Sequence, residues 1–528
     1  MVNEAGIRDF LIKNLDIIEP DLKFIQKEFS LKNNLGAGGR IDILAKDKFG
    51  MFVIIEIKKS DKTARQALHE LQKYIALFKT EYGLAANKCR CILLSTEWHE
   101  LLVPFSEFSR VVDYQIDGYQ LILNQEGIPV RNETVKLAPE GEEKFIFPRH
   151  NIFLYEIIKN RDIAREKLEK ILKELEITNY YILIINYEGD SENVIYPFAI
   201  YLVIDMFKYS EKEKIKNNLN IFYDDNYGFD EDDDDIDIKP LLEEEALSEI
   251  TNRLIGLIDS LEGGTAETIQ GMMSKGWHIQ TIYKGNQLDS QLITDEEIIK
   301  EIISFEGGNS VIYTSVTTPK IQPLWQSTIE NLQHFLYGND CWEIGANWFS
   351  QKVESISREA TLSFRIYYGF DILFALYNYF CRDVSLLPTL EIVAQIPGET
   401  NKTIILVGFL EWDRHTFPNI NSIFNNDDTF LVFNRQQLFF KNEPLYDLLM
   451  MHKHGIEYSL FEITIEQNAQ AVIKRLDIEE DDTVTLLPIT DKVELSLVES
   501  SLIDFSIENS GYIKELCYIG SSHFDFVS

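Results

Sequence analysis

The sequence predicts an α/β protein that opens with a mixed sheet flanked by helices and continues into α+β domains of unnamed fold. Three observations predict it. The first ~120 residues alternate helix-period and strand-period stretches in the order α-β-β-β-α-β-α-β. One of these strands, Phe52–Lys58, is a short apolar run that ends in Glu56-Ile57-Lys58, a pattern suited to a buried central strand with charge at its tip. Beyond residue 240, strands and helices follow one another without a repeat period.

Taken in order, Asn3–Leu15 reads as a helix, with Asn3 able to cap it and Ile7, Phe10 and Leu11 on one face. Pro20 and Asp21 break the pattern. Leu22–Leu31 reads as a strand, Asn33–Gly39 as a turn, and Arg40–Ala45 as a second strand. Asp47–Gly50 is a tight turn into the third strand, Met51–Lys58. Thr63–Thr80 has strong helical periodicity, with Ala67, Leu71, Tyr74 and Phe78 on its apolar face. Lys88–Ser95 reads as strand, Glu97–Arg110 as helix and Val111–Leu123 as strand. Further on, Arg161–Glu176, Leu241–Leu261 and Ile321–Leu336 read as helices. Asn179–Asn186, Leu390–Ala394, Thr403–Leu410 and Thr429–Phe433 read as strands.

The chain has 528 residues, which at roughly 100–200 residues per domain suggests about three domains. The expected division is a first domain over 1–125, a polar linker over 126–146, an α/β segment over 147–207 and an acidic linker or loop over 208–240. A mostly helical α+β region over 241–340 and a C-terminal α+β domain over 341–528 follow.

Net charge is −36, which taken alone argues against phosphate binding. The charge is unevenly spread. Residues 1–110 hold 17 Lys/Arg against 15 Asp/Glu, while the remainder holds 33 against 71. The first domain is electrostatically free to meet DNA, and the acidic remainder suits a protein partner. The run Asp230–Asp235 fails the EF-hand pattern, because Asp235 stands where the sixth-position Gly belongs and Leu241 where the twelfth-position Glu belongs. It reads as a solvated loop.

The five cysteines, Cys89, Cys91, Cys341, Cys381 and Cys517, form no zinc-type cluster and read as reduced thiols suited to a cytoplasmic protein. No secretory leader is expected at the N-terminus. The apolar stretches Val194–Phe207 and Phe370–Cys381 are too short to span a bilayer, so no membrane partner is expected. There is no G-x-x-x-x-G-K-[ST] loop and no G-x-G-x-x-G after a strand, which leaves an ATPase or dinucleotide enzyme without support.

The chemistry concentrates on the third strand. Side chains alternate along a strand, so Ile54, Glu56 and Lys58 share one face and Val53, Ile55 and Ile57 the other. A charge at such a place costs free energy unless it is paired or bound to metal. Asp42 interrupts the second strand in the same way. Counting outward from the Asp47–Gly50 turn sets Asp42 across from position 55 or 56, where two carboxylates converge. Two carboxylates and water suit Mg²⁺, with the Ile57 carbonyl as a further ligand. Such an ion activates water for phosphodiester hydrolysis, and Lys58 stabilises developing charge. Glu4 lies three residues before Ile7 and seven before Leu11, on the helix face turned to the sheet. Glu70 lies one turn before Tyr74, making both candidate auxiliaries, whereas Gln72 and His69 point away. A plain sheet would instead pair Asp42 with Arg40 or Lys46, and Glu56 with Lys58.

Asn3-Glu4-Ala5, Ile18-Glu-Pro20, Gly39-Arg-Ile-Asp42-Ile-Leu44, Asp47–Gly50, Ile54-Ile-Glu56-Ile-Lys58 and Leu71–Tyr74 together resemble the PD-(D/E)XK nuclease superfamily, and within it the catalytic domain of NucS-type endonucleases. The resemblance covers about the first 115 residues. It implies a restriction-endonuclease-like fold, Mg²⁺ or Mn²⁺, DNA as substrate, and catalytic roles at Glu4, Asp42, Glu56 and Lys58. The family often has Gln where Glu70 stands. Its members also carry a DNA-binding domain ahead of the nuclease segment, whereas here that segment opens the chain, so substrate preference is not implied. The expected function is a metal-dependent DNA endonuclease whose acidic remainder senses or regulates, an arrangement similar to bacterial defence or DNA-processing effectors. A homodimer would suit cutting both strands. The alternatives are a non-catalytic nucleic-acid or protein-binding module on the same fold, and RNA as substrate.

Overall fold

A computed structural model describes residues 3–31, 39–59, 61–82, 88–138, 146–189, 194–205, 214–215, 217–219, 239–286, 292–369, 371–382, 387–398, 402–424, 444–466, 470–479, 481–489 and 492–524. The acidic run at 230–235, residues 33–38 of the expected turn Asn33–Gly39 and the expected strand Thr429–Phe433 lie outside the described residues, as does the side chain of Phe78. The chain divides into two compact units, Met1–Glu143 and Lys144–Ser528. The fold is α/β in class, with helices around several sheets.

The first unit is a six-stranded mixed sheet: β1 Lys23–Leu31, β2 Gly39–Lys46, β3 Phe52–Lys58, β4 Cys89–Ser95, β5 Ile116–Leu123 and β6 Pro129–Thr134, paired in that order. The β3–β4 and β4–β5 pairs are parallel and the others antiparallel. Among the described residues, α-helices α1 Glu4–Leu11, α2 Asp61–Tyr82 and α3 Leu102–Val111 accompany it. The Asn3 side chain accepts from the Gly6 N–H at 3.0 Å and so starts α1. The helix ends at Leu11 rather than Leu15, and a single 3₁₀ turn, Leu15–Ile17, follows.

The turn between β2 and β3 fixes their register. Asp47 Oδ1 accepts from the N–H groups of Phe49 and Met51, both at 3.0 Å, and Gly50 sits at φ +81°. Lys46 then faces Phe52, and the ladder runs inward to Ile43 opposite Ile55. Alternation along β3 holds as expected. Ile54 packs with Leu44, Leu93, Ala67, Leu71 and Tyr74 on the α2 side. Val53, Ile55 and Ile57 pack with Ile7, Leu11 and Ile43 on the α1 side. β3 is thus buried on both faces, and its charged end emerges from a dry core.

β6 occupies part of the stretch expected as a linker from 126. It pairs with β5 and satisfies an edge that the polar composition of this segment concealed.

In the second unit, five antiparallel strands pair in the order β10-β7-β9-β8-β11: β7 His150–Tyr155, β8 Tyr180–Tyr187, β9 Phe198–Ile204, β10 Ser260–Gly264 and β11 Trp277–Lys284. The helices Ile158–Glu174 and Lys239–Leu254 pack on one face, and Ala266–Ser274 and Asp295–Ile303 on the other. The helix expected over Leu241–Leu261 stops at Leu254, two residues before Gly256 at φ +86°. A seven-stranded antiparallel meander follows, β12 Ile312–Thr317, β13 Thr361–Tyr367, β14 Thr389–Ile396, β15 Lys402–Trp412, β16 Ile456–Glu466, β17 Val472–Ile478 and β18 Val484–Pro488. The expected boundaries at 207, 241 and 340 do not follow these sheets. β10 and β11 return from the 241–340 region to the sheet begun at β7, and β12 joins the meander that residues after 341 complete. Such returns are non-local pairings that no local pattern announces.

The cysteines correct the expectation of five thiols. Cys89, Cys91 and Cys341 are free, but Cys381 and Cys517 form a disulfide. The helices Ile372–Cys381 and Ser510–Phe524 share a core through Leu373, Leu376, Tyr377, Tyr512 and Leu516, and this brings together two residues 136 apart in sequence. Among the described residues, no helix is long and apolar enough to cross a membrane.

Candidate metal-dependent nuclease site

At the end of β3 the β2–β3 ladder stops, and side chains replace it. The last pair is Ile43 with Ile55. One residue further along β2 and two along β3, the Ile57 N–H donates to Asp42 Oδ2 at 3.0 Å. The Ile57 side chain is buried on the α1 side, so Ile57 enters the site through its backbone.

Glu56 is 3% exposed, and its Oε1 accepts from Lys58 Nζ at 2.7 Å. Lys58 Nζ also donates to Glu70 Oε2 at 2.9 Å, so the ammonium sits between a carboxylate from its own strand and one from α2. The other oxygen of Glu56, Oε2, is buried outside that hydrogen bond, and the Glu70 carboxyl lies against Glu56 as well. Glu4 reaches the same strand end from α1, its Oε1 accepting from the Lys59 N–H at 3.0 Å. The four residues expected to be catalytic, Glu4, Asp42, Glu56 and Lys58, therefore meet around the last residues of β3.

Electrostatics records this convergence. Burial first, and the Asp42 charge second, push the Glu56 carboxyl up to about 9. Burial also raises Asp42, while the Ile57 N–H, Lys58 and Arg8 pull it back and Glu4 adds to the rise. Burial works against the Lys58 charge, but Glu56 and Glu70 outweigh it and hold the ammonium above the usual lysine range. Glu70 is lowered, because Lys58 overcomes the effect of its partial burial.

The auxiliary residues divide. Glu70 is part of the site through Lys58. The Tyr74 hydroxyl donates instead to the Arg40 carbonyl at 2.7 Å, tying α2 to β2. Its ring also lies where a Cβ on Gly39 would stand, at 2.5 Å. Tyr74 thus holds the strand that carries Asp42. His69 and Gln72 are exposed, as their helix positions predict.

Sequence reasoning missed Arg8. Its Nη1 lies 3.6 Å from Asp42 Oδ1, so the cation beside Asp42 comes from α1 rather than from Arg40 or Lys46. The available signal was its place one turn after Glu4.

The residues fit a divalent cation. The observation that tests the fit is Glu56 Oε2, a buried carboxyl oxygen outside the Lys58 hydrogen bond in a dry place. Among the described residues no group of three or more His, Cys, Asp or Glu is set to hold a metal ion. Glu4 and Glu70 are engaged by the Lys59 N–H and by Lys58, which leaves Asp42 and Glu56 as the carboxyl ligands, a small set that suits an ion that keeps most of its water.

Residues 3–100 match the family model of the endonuclease NucS C-terminal domain. The chain is 34% identical over 93 residues to endonuclease NucS of Methanocaldococcus jannaschii, covering 18% of this chain and 32% of that protein. It is 38% identical over 71 residues to endonuclease NucS of Sulfolobus acidocaldarius, covering 13% and 26%. The match thus spans about a third or less of the length of these relatives. Among solved structures, an EndoMS–double-stranded DNA complex matches at 20% identity and TM-score 0.17, covering 22% of this chain and 44% of that one. A repair endonuclease from Pyrococcus abyssi matches at 21% identity and TM-score 0.18, covering 23% and 48%.

Proposed function

We propose that the first unit is a metal-dependent endonuclease that hydrolyses phosphodiester bonds of DNA, with Asp42 and Glu56 as carboxylate ligands, the Ile57 carbonyl beside them, and Mg²⁺ or Mn²⁺ as cofactor. The observation that carries this reading is the buried Glu56 carboxyl held beside Lys58 at the strand end where the Ile57 N–H fixes Asp42. The named endonuclease relatives over residues 3–100 support the same reading.

The chemistry a bound divalent ion supplies is polarisation of the phosphoryl oxygen and a lowered pKa for bound water. The residues of this chain do the rest. The Ile57 N–H fixes the Asp42 carboxylate, and the Glu4 carboxylate fixes the end of β3 through the Lys59 N–H. Lys58, held from both sides by Glu56 and Glu70, keeps its proton and presents a fixed positive charge to the phosphate that develops charge. The second unit, which carries the acidic excess, serves as a sensor or regulator of cutting and as the surface for a protein partner, an architecture that suits a bacterial defence or DNA-processing effector.

The test is to incubate the full chain with duplex DNA, single-stranded DNA and RNA, with Mg²⁺, with Mn²⁺ and with EDTA. Ion-dependent cutting of DNA that is abolished by Asp42→Ala, Glu56→Ala and Lys58→Ala is the expected result. Undiminished cutting by all three variants removes the site assignment. Cutting of RNA alone changes the substrate. Binding of DNA without cutting, under every ion, favours a non-catalytic module.

A further inference from the structure

Arg8 connects the surface to the interior of the site. Its side chain is 13% exposed, between Glu28 at 41% and Asp42 at 24%. Its Nη1 donates to Glu28 Oε1 at 3.2 Å and lies 3.6 Å from Asp42 Oδ1. The first contact is a hydrogen bond, whereas the second is an ion pair beyond hydrogen-bond length. The guanidinium is therefore anchored to the outer carboxylate and only leans on the inner one.

The two oxygens of Asp42 are in different situations. Oδ2 is taken by the Ile57 N–H, and Oδ1 faces Arg8. An arginine does not give up its proton, so in the ion-free protein a permanent cation stands at Oδ1. A divalent ion approaching Asp42 meets the repulsion of that cation, at short range and in a partly dry place. A guanidinium is also the side chain best matched to a phosphate, which it contacts through two parallel donors.

Resting on the nuclease reading, we propose that Arg8 is a ligand for a DNA backbone phosphate, parked against Asp42 until DNA arrives. The phosphate draws the guanidinium outward along its Glu28 anchor, and Asp42 Oδ1 is then open to the divalent ion. Binding of DNA and of the ion are coupled through this one side chain, and the coupling is reciprocal.

Two binding measurements on the full chain test it. Mn²⁺ binding without DNA is titrated by electron paramagnetic resonance, and duplex DNA binding in EDTA is titrated across a salt series. Arg8→Met is expected to bind Mn²⁺ roughly fivefold more tightly than wild type, because the competing cation is gone. It is expected to bind DNA about tenfold more weakly, with the slope of log affinity against log salt reduced by about 1. Arg8→Lys, which keeps the charge, is expected to keep that slope and shows that position 8 tolerates change. Unchanged or weaker Mn²⁺ binding by Arg8→Met, or unchanged DNA affinity and slope, overturns the proposal while leaving the nuclease reading in place. Absence of both Mn²⁺ and DNA binding in the wild type overturns that reading and this proposal with it.

Discussion

The Ile57 amide donates to Asp42 Oδ2 at 3.0 Å, just past the Ile43–Ile55 rung that ends the β2–β3 ladder. A side chain thus takes the place of a strand carbonyl, and the carboxylate is fixed by backbone rather than by another side chain. Asp42→Asn still offers an oxygen to that N–H, so its unfolding free energy is expected to stay within about 1 kcal/mol of wild type. Its ion-dependent DNA cleavage is expected to fall by roughly 100-fold or more. Denaturant unfolding and a nicking assay on the same preparation check both. Full activity in Asp42→Asn contradicts the role of the charge.

Glu56 makes stability depend on pH. Its carboxyl rises from 4.5 to about 9 on folding, chiefly through burial. A raised value means the folded state binds the proton more tightly, so the contribution is complete below the unfolded value of 4.5 and is lost as pH climbs through about 9. Within that window the ion-free protein loses up to about 1.4 kcal/mol per pH unit at this group. Glu56→Gln removes the loss. The stability of wild type minus that of Glu56→Gln, measured in EDTA on the first unit's transition, should fall between about pH 5 and pH 9. A pH-independent difference contradicts the buried, proton-holding Glu56.

Tyr74 supports the site from behind it. Tyr74→Phe removes the hydroxyl that donates to the Arg40 carbonyl and should cost about 1 kcal/mol in unfolding free energy. Mn²⁺ affinity should be unchanged, because the hydroxyl is committed to the backbone. A loss of ion binding in Tyr74→Phe places the phenol in the site instead.

The Cys381–Cys517 bond closes a long loop in the second unit, with a sequence separation of 136. Thiol titration of the denatured, unreduced protein should find three free groups, Cys89, Cys91 and Cys341. Cys381→Ser should lower stability by roughly 4–5 kcal/mol in the chain-entropy view. A count of five thiols means that the protein carries the reduced pair.

Much of the site was legible in the sequence because strand alternation is strict. Glu56 and Lys58 had to share a face, and the Asp47–Gly50 turn limited Asp42 to a position near them. Glu4 followed from the helical spacing of Ile7 and Leu11. The ladder's end at Asp42 was not legible, since a strand carries no local mark where a side chain replaces a carbonyl. Arg8 escaped because a basic residue on a short helix looks solvated until β1 brings Glu28 to it. The return of β10 and β11 to the sheet begun at β7, and the pairing of Cys381 with Cys517, depend on contacts far apart in the chain.

The most direct test of a divalent-ion site at the end of β3 is the anomalous scattering of Mn²⁺ in crystals of the wild-type chain soaked with manganese. A single strong peak within coordination distance of Asp42 and Glu56, absent in Glu56→Gln crystals, is the expected result. Lys58 Nζ still bridging Glu56 and Glu70, with no peak between the two carboxylates at saturating Mn²⁺, would contradict it and leave β3 ending in an ion pair alone.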